Sequence, residues 1–167
     1  MIEQYVNDIE FMKIVLASVF CGAAIGLERQ IRGKPAGMRT GMLVCLGTAV
    51  FVHLGAQLSG PALDPARVLG QVVTGVGFLG AGVMFMREGS VLGVTTAAVI
   101  WMLAGIGSAI GLGQYNLGIA LALVALFILV GTEWLERSFG ALRRGAHAIY
   151  NSEIRPRKRS IRSKDHE

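Results

Sequence analysis

The residues best suited to chemistry lie in a short polar stretch between two long apolar ones. The segment GLERQIRGKPAGMRTG carries five charges between Glu28 and Arg39, whereas the runs on either side carry none. A carboxylate at the end of an apolar helix is costly to leave unpaired, so Glu28 should pair with an arginine of this loop edge, Arg29 or Arg39. The stretch therefore forms a candidate polar site composed of Glu28, Arg29, Arg39 and Thr40. The alternative is a structural salt bridge in a loop that only sets orientation.

Two further polar groups flank the later apolar runs. In SGPALDPARVLGQ, Asp64 precedes Pro65, which is typical of a helix N-cap. The residues that follow it would extend a polar face along the helix start, so the second candidate group is Asp64, Arg67, Gln71 and Thr74. The third group is a pair of threonines at the start of the next apolar run, Thr95 and Thr96. Threonine hydroxyls can bond to a carbonyl one turn back or to another helix. Both groups could thus be structural.

The sequence contains no recognisable catalytic motif. It has no phosphate-binding loop, no His or Cys cluster with metal-ligand spacing and no nucleophile elbow. Four acids, Glu3, Asp8, Glu10 and Asp64, would attract a divalent cation, but their spacing defines no site. We therefore expect neither an enzyme nor a cofactor, and a metal site stays unknown.

The elements that must position these groups are hydrophobic helices. The chain of 167 residues is 53% hydrophobic and only 16% charged, and its apolar residues are grouped. A membrane-spanning helix needs about 20 mostly apolar residues. Five segments approach this length: 11–27, 41–58, 68–86, 91–113 and 115–135. We predict an all-α integral membrane protein, a compact bundle of five transmembrane helices occupying residues 1–135.

The basic residues predict how the chain threads through the bilayer. If five spans alternate, fourteen Lys and Arg residues fall on one face and two, Lys13 and Arg67, on the other. Because short basic loops stay in the cytoplasm, the N-terminus is predicted outside and the C-terminus inside. The loop that contains Glu28 is then cytoplasmic.

Glycine dominates the predicted packing. The chain has 23 glycines, with GxxxG spacing at Gly22 and Gly26 and at Gly107 and Gly111. The run TGVGFLGAGV places four glycines in the third span, which favours a central position for that helix. Matching Gly37 with Gly93 and Thr40 with Thr96 also suggests a parallel repeat of two helix pairs.

The chain changes character after residue 135. Residues 136–150 carry an apolar stripe at helical spacing and are predicted to form an amphipathic helix, lying in the interface or pairing with a copy of itself. Residues 151–167 form a basic cytoplasmic tail, predicted to be disordered. Anionic lipids are the expected partner of this tail. Nucleic acid is not expected, because no stacking aromatic residues accompany the charges.

Three blocks together resemble the MgtC/SapB family of bacterial inner-membrane proteins. They are GLERQIRGKPAGMRTGMLVCLG, DPARVLGQVVTGVGFLGAGVMF and GVTTAAVIWMLAGIGSAIGLG, and the similarity covers about residues 12–130. The resemblance implies a multi-pass protein of the bacterial inner membrane that acts in magnesium homeostasis and, in pathogens, in virulence. The polar positions that are typical of the family fall on the candidate residues of this sequence: Glu28, Arg29, Arg39, Thr40, Asp64, Arg67, Gln71, Thr74, Thr95 and Thr96. The chain resembles the short form, without a soluble C-terminal domain.

Two functions remain open at this stage. The resemblance implies adaptation to low magnesium through modulation of other membrane machinery, such as the proton-driven ATP synthase, so another membrane protein complex is an expected partner. The alternative is a small transporter or channel for Mg²⁺ or another cation, with a homodimer as one form, that uses the polar face of Asp64, Arg67, Gln71 and Thr74. A polar, water-filled cavity would favour the transporter, whereas a dry bundle packed through glycine would favour the regulator.

Overall fold

The computed structural model consists almost entirely of helices. It describes residues 2–58, 65–87 and 90–138. Five helices and one two-stranded hairpin follow in chain order: α1 (Ile2–Ile31), α2 (Met38–Gln57), α3 (Pro65–Gly82), β1 (Phe85–Arg87), β2 (Ser90–Leu92), α4 (Val94–Gly111) and α5 (Tyr115–Ser138). The chain divides into two compact units, Met1–Leu129 and Val130–Glu167, and the described part of the second is the end of α5. The predicted segments 136–150 and 151–167 lie almost entirely outside the described residues.

Four of the helices are long and apolar enough to cross a membrane. The four segments are Asp8–Ile31, Met38–Gln57, Val94–Gly111 and Tyr115–Thr132. The remaining helix, α3, has 18 residues and begins with the polar turn that contains Arg67. The all-α membrane bundle predicted from the sequence is confirmed, with four such helices and α3 beside them. Which face is cytoplasmic stays a prediction.

The connection between α3 and α4 differs from the predicted loop. The apolar run suggested a span from residue 68 to 86, but α3 ends at Gly82 and an antiparallel hairpin follows, in which Phe85 pairs with Leu92. Gly93 ends this hairpin with φ of 90°, and a Cβ at that position would collide with the carbonyl oxygen of Val83. Only glycine satisfies both conditions, so the chain can reverse tightly into α4.

The core lies between α1, α2 and α4. Leu103, Ile106 and Ile110 of α4 are fully buried, together with Ile14 of α1 and Ala49 of α2. Two alanines of α5 complete this cluster. The unpaired Cys21 and Cys45 are buried in it as well. The interior is therefore assembled around α4.

Glycines bring the backbones of these three helices into direct contact. A Cβ added at Gly22 of α1 would lie 2.5 Å from the carbonyl oxygen of Gly41 in α2. Further along α2, Gly107 and Gly111 of α4 meet the carbonyl oxygens of Cys45 and Ala49. Such close approach maximises van der Waals packing, which holds helices together where lipid offers no hydrophobic drive. We call these contacts the glycine-packed core.

Helix α3 is peripheral, contrary to the prediction from its glycine content. It packs on α4 and on part of α2, and Val76 is its only described residue with a large side chain that is buried. A Cβ would meet nothing within 4 Å at four of its glycines: Gly70, Gly75, Gly77 and Gly82. The physical reason for the error is that glycine permits close packing without specifying a partner.

The predicted repeat stays a prediction. Gly37 and Gly93 do occupy equivalent places, each directly before a helix. Their backbones differ, however, because Gly37 is extended at φ of −70° and Gly93 is left-handed.

Candidate functional site

The end of the α1–α2 hairpin buries a carboxylate. The side chain of Glu28 is only 8% exposed, and its Oε1 lies 2.6 Å from Nε of Arg32, one turn further along α1. Within the described part of the chain, neither oxygen of Glu28 accepts a hydrogen bond of good geometry. The contact is an ion pair by distance, so charge attraction rather than directed bonding holds it.

The arginine partner is not one of the two that the sequence suggested. The prediction named Arg29 and Arg39, but the structure pairs Glu28 with Arg32. Residues four apart lie on the same face of a helix, whereas adjacent residues such as Glu28 and Arg29 do not. The i,i+4 spacing was therefore the signal that could have identified Arg32.

Arg29 is the most deeply buried charge in the described chain. It is 5% exposed, and its Nε has no hydrogen-bond partner among the described residues. A buried guanidinium with an unused donor is costly and marks a candidate functional position at a membrane edge. Its backbone carbonyl accepts from the amide of Lys34, which holds the turn after α1 in place.

Arg39 and Thr40 lie on the exposed side of the same hairpin, in the first turn of α2. The start of α2 is held by Gln30, whose Oε1 accepts a hydrogen bond of 3.3 Å from the amide of Met38. Gly37 has no side chain with which to cap the helix. The side-chain oxygen of Gln30 in α1 therefore takes the place of the usual N-cap acceptor. The four predicted residues thus separate into a buried pair and an exposed pair, and Gln30 and Arg32 join them.

The second predicted group is only partly brought together. Arg67 and Gln71 both line a groove between α2 and α3. The hydroxyl of Thr74 does not join them, because it donates to the carbonyl oxygen of Gly70 in its own helix at 2.9 Å. Asp64 lies outside the described residues.

The third predicted group consists of two unlike threonines. Thr95 is exposed, whereas Thr96, next to it in the first turn of α4, is 3% exposed. Only Thr96 therefore faces the protein interior.

The opposite end of the bundle holds a polar cluster that the sequence interpretation missed. Glu10 of α1 accepts a hydrogen bond of 3.0 Å from the hydroxyl of Tyr115 in α5 and pairs with Lys13 at 2.7 Å. Nearby, His53 and Gln57 of α2 are joined by a hydrogen bond of 2.8 Å. The spacing of Glu10 and Lys13 was visible in the sequence, but the link to Tyr115 spans 105 positions. This cluster fastens the start of α5 to the N-terminal third of α1.

Neither end assembles a recognisable metal centre. Among the described side chains, no group of three His, Cys, Asp or Glu residues could hold a metal ion. The charged groups instead form pairs: Glu28 with Arg32, and Glu10 with Lys13.

Comparison with known proteins places the chain in a family. Residues 15–138 match the MgtC family. Over 125 residues the chain is 46% identical to a protein of Escherichia coli (strain K12) named "Putative magnesium transporter YhiD", with 71% of this chain and 58% of that protein covered. It is 48% identical over 113 residues to Protein MgtC of Salmonella typhimurium (strain LT2), with 67% and 48% covered. Protein MgtC of Brucella abortus (strain 2308) is 41% identical over 138 residues, with 78% and 56% covered.

The matches cover more of this chain than of the relatives. The chain spans about half the length of the curated relatives it matches. No solved structure matches the chain. The family match, however, covers most of this sequence and all four apolar helices except the first residues of α1. This multi-pass membrane protein, whose features are consistent with the bacterial inner membrane, belongs to the MgtC family.

Proposed function

We propose that this protein acts in adaptation to low magnesium by binding and modulating another membrane complex. The proton-driven ATP synthase is the machinery that the family resemblance suggests. In this proposal the protein neither carries the ion nor catalyses a reaction. Its role is to change the activity of its partner when magnesium is scarce.

The observation that carries the proposal is the glycine-packed core. Gly22 lies against Gly41, and Gly107 lies against the backbone of Cys45. A magnesium ion keeps several waters and demands octahedral oxygen coordination. Helices in backbone contact leave no room for a hydrated ion between them, so the interior of α1, α2 and α4 favours a rigid platform over a pathway.

The hairpin end is the best candidate for contact with the partner. Arg39 and Thr40 are exposed there, while Glu28 and Arg32 form their ion pair in the last turns of α1. Buried, paired charges fix the shape of such an end, and an exposed arginine can recognise a carboxylate through two parallel hydrogen bonds. We therefore assign Arg39 to partner recognition and Glu28 and Arg32 to positioning.

Flux measurements on purified protein test whether the protein carries an ion. Sealed liposomes would hold indicators for magnesium and protons, with and without an imposed potential. We expect no protein-dependent flux from protein shown to be folded and inserted. Flux that disappears in the Asp64→Asn and Arg67→Ala variants would contradict the proposal and make the protein a transporter.

Inverted membrane vesicles test the modulation itself. Vesicles from a host that lacks its own family member would be prepared with and without this protein, and ATP-driven proton pumping would be followed with an acridine dye. We expect pumping to change when the wild-type protein is present. The effect should be lost in Arg39→Gln and kept in the charge-preserving Arg39→Lys, at equal protein levels. Equal pumping in all four membranes would overturn the assignment of the ATP synthase.

A cation transporter is the second candidate. The name of the E. coli relative, "Putative magnesium transporter YhiD", favours it, as does the presence of Arg67 and Gln71 in one groove. The groove walls are otherwise almost entirely apolar, which suits an ion pathway poorly. The liposome experiment decides between the two candidates.

A further inference from the structure

A long groove runs between α2 and α3. Its volume is about 930 Å³, at the upper end of the roughly 300–1,000 Å³ typical of small-molecule sites. It extends from Leu43 on α2 to Leu58, the residue directly after that helix, and from Arg67 to Leu79 on α3. At 1.5 Å per helical residue, the shorter wall is about 18 Å long. The hydrocarbon core of a bilayer is roughly 30 Å thick, so the acyl chains of one leaflet occupy about half of that depth. The groove is longer than this, and it can therefore hold a complete acyl chain.

The groove is narrow at one end and open along its length. Near the Arg67 end the two helices touch, because a Cβ at Gly55 would lie 2.7 Å from Cγ2 of Val68. Further along, Gly47 and Gly75 face the groove, and a Cβ at either would meet nothing within 4 Å. Two missing side chains on facing helices thus create the space.

This shape suits a thin ligand better than a protein helix. A helix with its side chains is about 10–12 Å wide. Because α2 and α3 are themselves in contact, the cleft between them admits a chain of methylene groups more readily than a cylinder of that width. The walls are apolar, formed by residues such as Leu43, Phe51, Leu54, Val72 and Leu79.

The long polar side chains of the groove lie near the start of α3, whereas Thr48 on α2 is a buried polar residue of the lining. Arg67 and Gln71 are the charged and amide-bearing residues of its lining, and Arg67 is exposed in the first turn of the helix. Arginine binds phosphate oxygens with several donors in a fixed geometry. The groove thus offers a cation at one end and an apolar channel beyond it.

We propose that the groove between α2 and α3 binds an anionic phospholipid, with the phosphate at Arg67 and Gln71 and an acyl chain along Gly47 and Gly75. This site goes beyond the proposed function and does not depend on it. Its failure would leave the modulation of another complex untouched, and the reverse also holds.

Native mass spectrometry of the full chain released from detergent tests the site. The protein would be incubated with phosphatidylglycerol, with phosphatidylcholine or with inorganic phosphate. We expect one tightly held phosphatidylglycerol per chain, favoured over phosphatidylcholine by about fivefold for the single charge contact. Arg67→Gln should remove this preference, and Arg67→Lys should keep most of it.

Paired glycine variants separate the groove from the helix. Gly75→Leu fills the groove and should reduce retention of both lipids by about fivefold or more, because the buried methylene groups lose their contacts. Gly77→Leu is the matched control, since Gly77 also has nothing within 4 Å of its Cβ but does not line the groove. It should bind as the wild type does.

Three results would overturn the proposal. Equal binding of both lipids by the wild-type chain and Arg67→Gln would remove the role of the charge. Displacement of lipid by millimolar inorganic phosphate would make this an anion site. A dimer that Gly75→Leu converts to a monomer, with lipid retention unchanged, would show that a second copy fills the groove. If Gly75→Leu failed to fold, the Arg67 pair of variants would still decide the question.

Discussion

The two faces of α2 use glycine in opposite ways. Towards α1 and α4, glycines let backbones touch, as at Gly22 and Gly107. Towards α3, Gly55 again allows contact, with Val68, but Gly47 and Gly75 line an open groove. The same residue type therefore closes the interfaces with α1 and α4 but leaves most of the interface with α3 open. What decides the outcome is the distance between helix axes, which the glycine content of a helix does not report.

The largest expected effect lies in the closed interface. Gly107→Ala places a methyl group against the carbonyl oxygen of Cys45, and neither backbone can move without displacing a whole helix. We expect a loss of more than about 3 kcal/mol of stability, at the upper end of the cost of overpacking. Thermal unfolding in detergent, followed by circular dichroism, measures it. A melting temperature equal to that of the wild type would show that the helices are not in contact there.

The ion pair at the hairpin end should show strong coupling. A double-mutant cycle with Glu28→Gln and Arg32→Gln is expected to give an interaction energy of about 1–3 kcal/mol, because the carboxylate is buried when it loses its partner. The cycle corrects for the other interactions of Arg32. Additive effects of the two single variants on unfolding would contradict the pairing.

A smaller effect is expected at the opposite end of the bundle. Tyr115→Phe removes the hydroxyl that donates to Glu10 and keeps the ring. One partly buried hydrogen bond contributes about 1 kcal/mol. Hydrogen exchange at the start of α5 should accelerate, while exchange in the middle of α4 stays constant. Unchanged protection at Tyr115 would show that the link does not fasten α5.

The smallest effect should have the opposite sign. Gly77→Ala adds a methyl group where nothing lies within 4 Å, so only the backbone preference changes. Alanine in a helix interior is favoured over glycine by about 0.5–1 kcal/mol. The melting temperature should rise slightly. A fall would mean that this face of α3 is in contact with another helix under the conditions of the experiment.

The sequence predicted the helices better than it predicted their surfaces. Runs of apolar residues reflect the thickness of a bilayer, so the limits of α2 and α5 could be read from composition alone. The hairpin from Phe85 to Leu92 could not be found in this way, because its first strand begins with Phe85 and Met86, which continue the apolar run of α3. The central position of α4 was also hidden, since burial depends on neighbours rather than on hydropathy.

The candidate site was predicted to a similar degree. The sequence indicated that Glu28 needs an arginine, which is a matter of charge in an apolar setting. Which arginine pairs with Glu28 depends on helical geometry. Arg32 lies one turn further along α1, on the same face of the helix as Glu28. The contribution of Gln30 could not be inferred, because it depends on how the turn folds back to Met38. The link between Glu10 and Tyr115 required the complete bundle.

The hydrogen bond from Met38 to Gln30 has a consequence for biosynthesis. The side chain that caps α2, that of Gln30, belongs to α1 and lies only eight positions before Met38 in the chain. Contacts between residues so close in sequence form early, because little chain entropy is lost in closing the loop. We expect α1 and α2 to enter the bilayer together as one hairpin during translation. Helix α4 would then dock onto a surface that is already in place, which explains how the most buried helix can be made fourth.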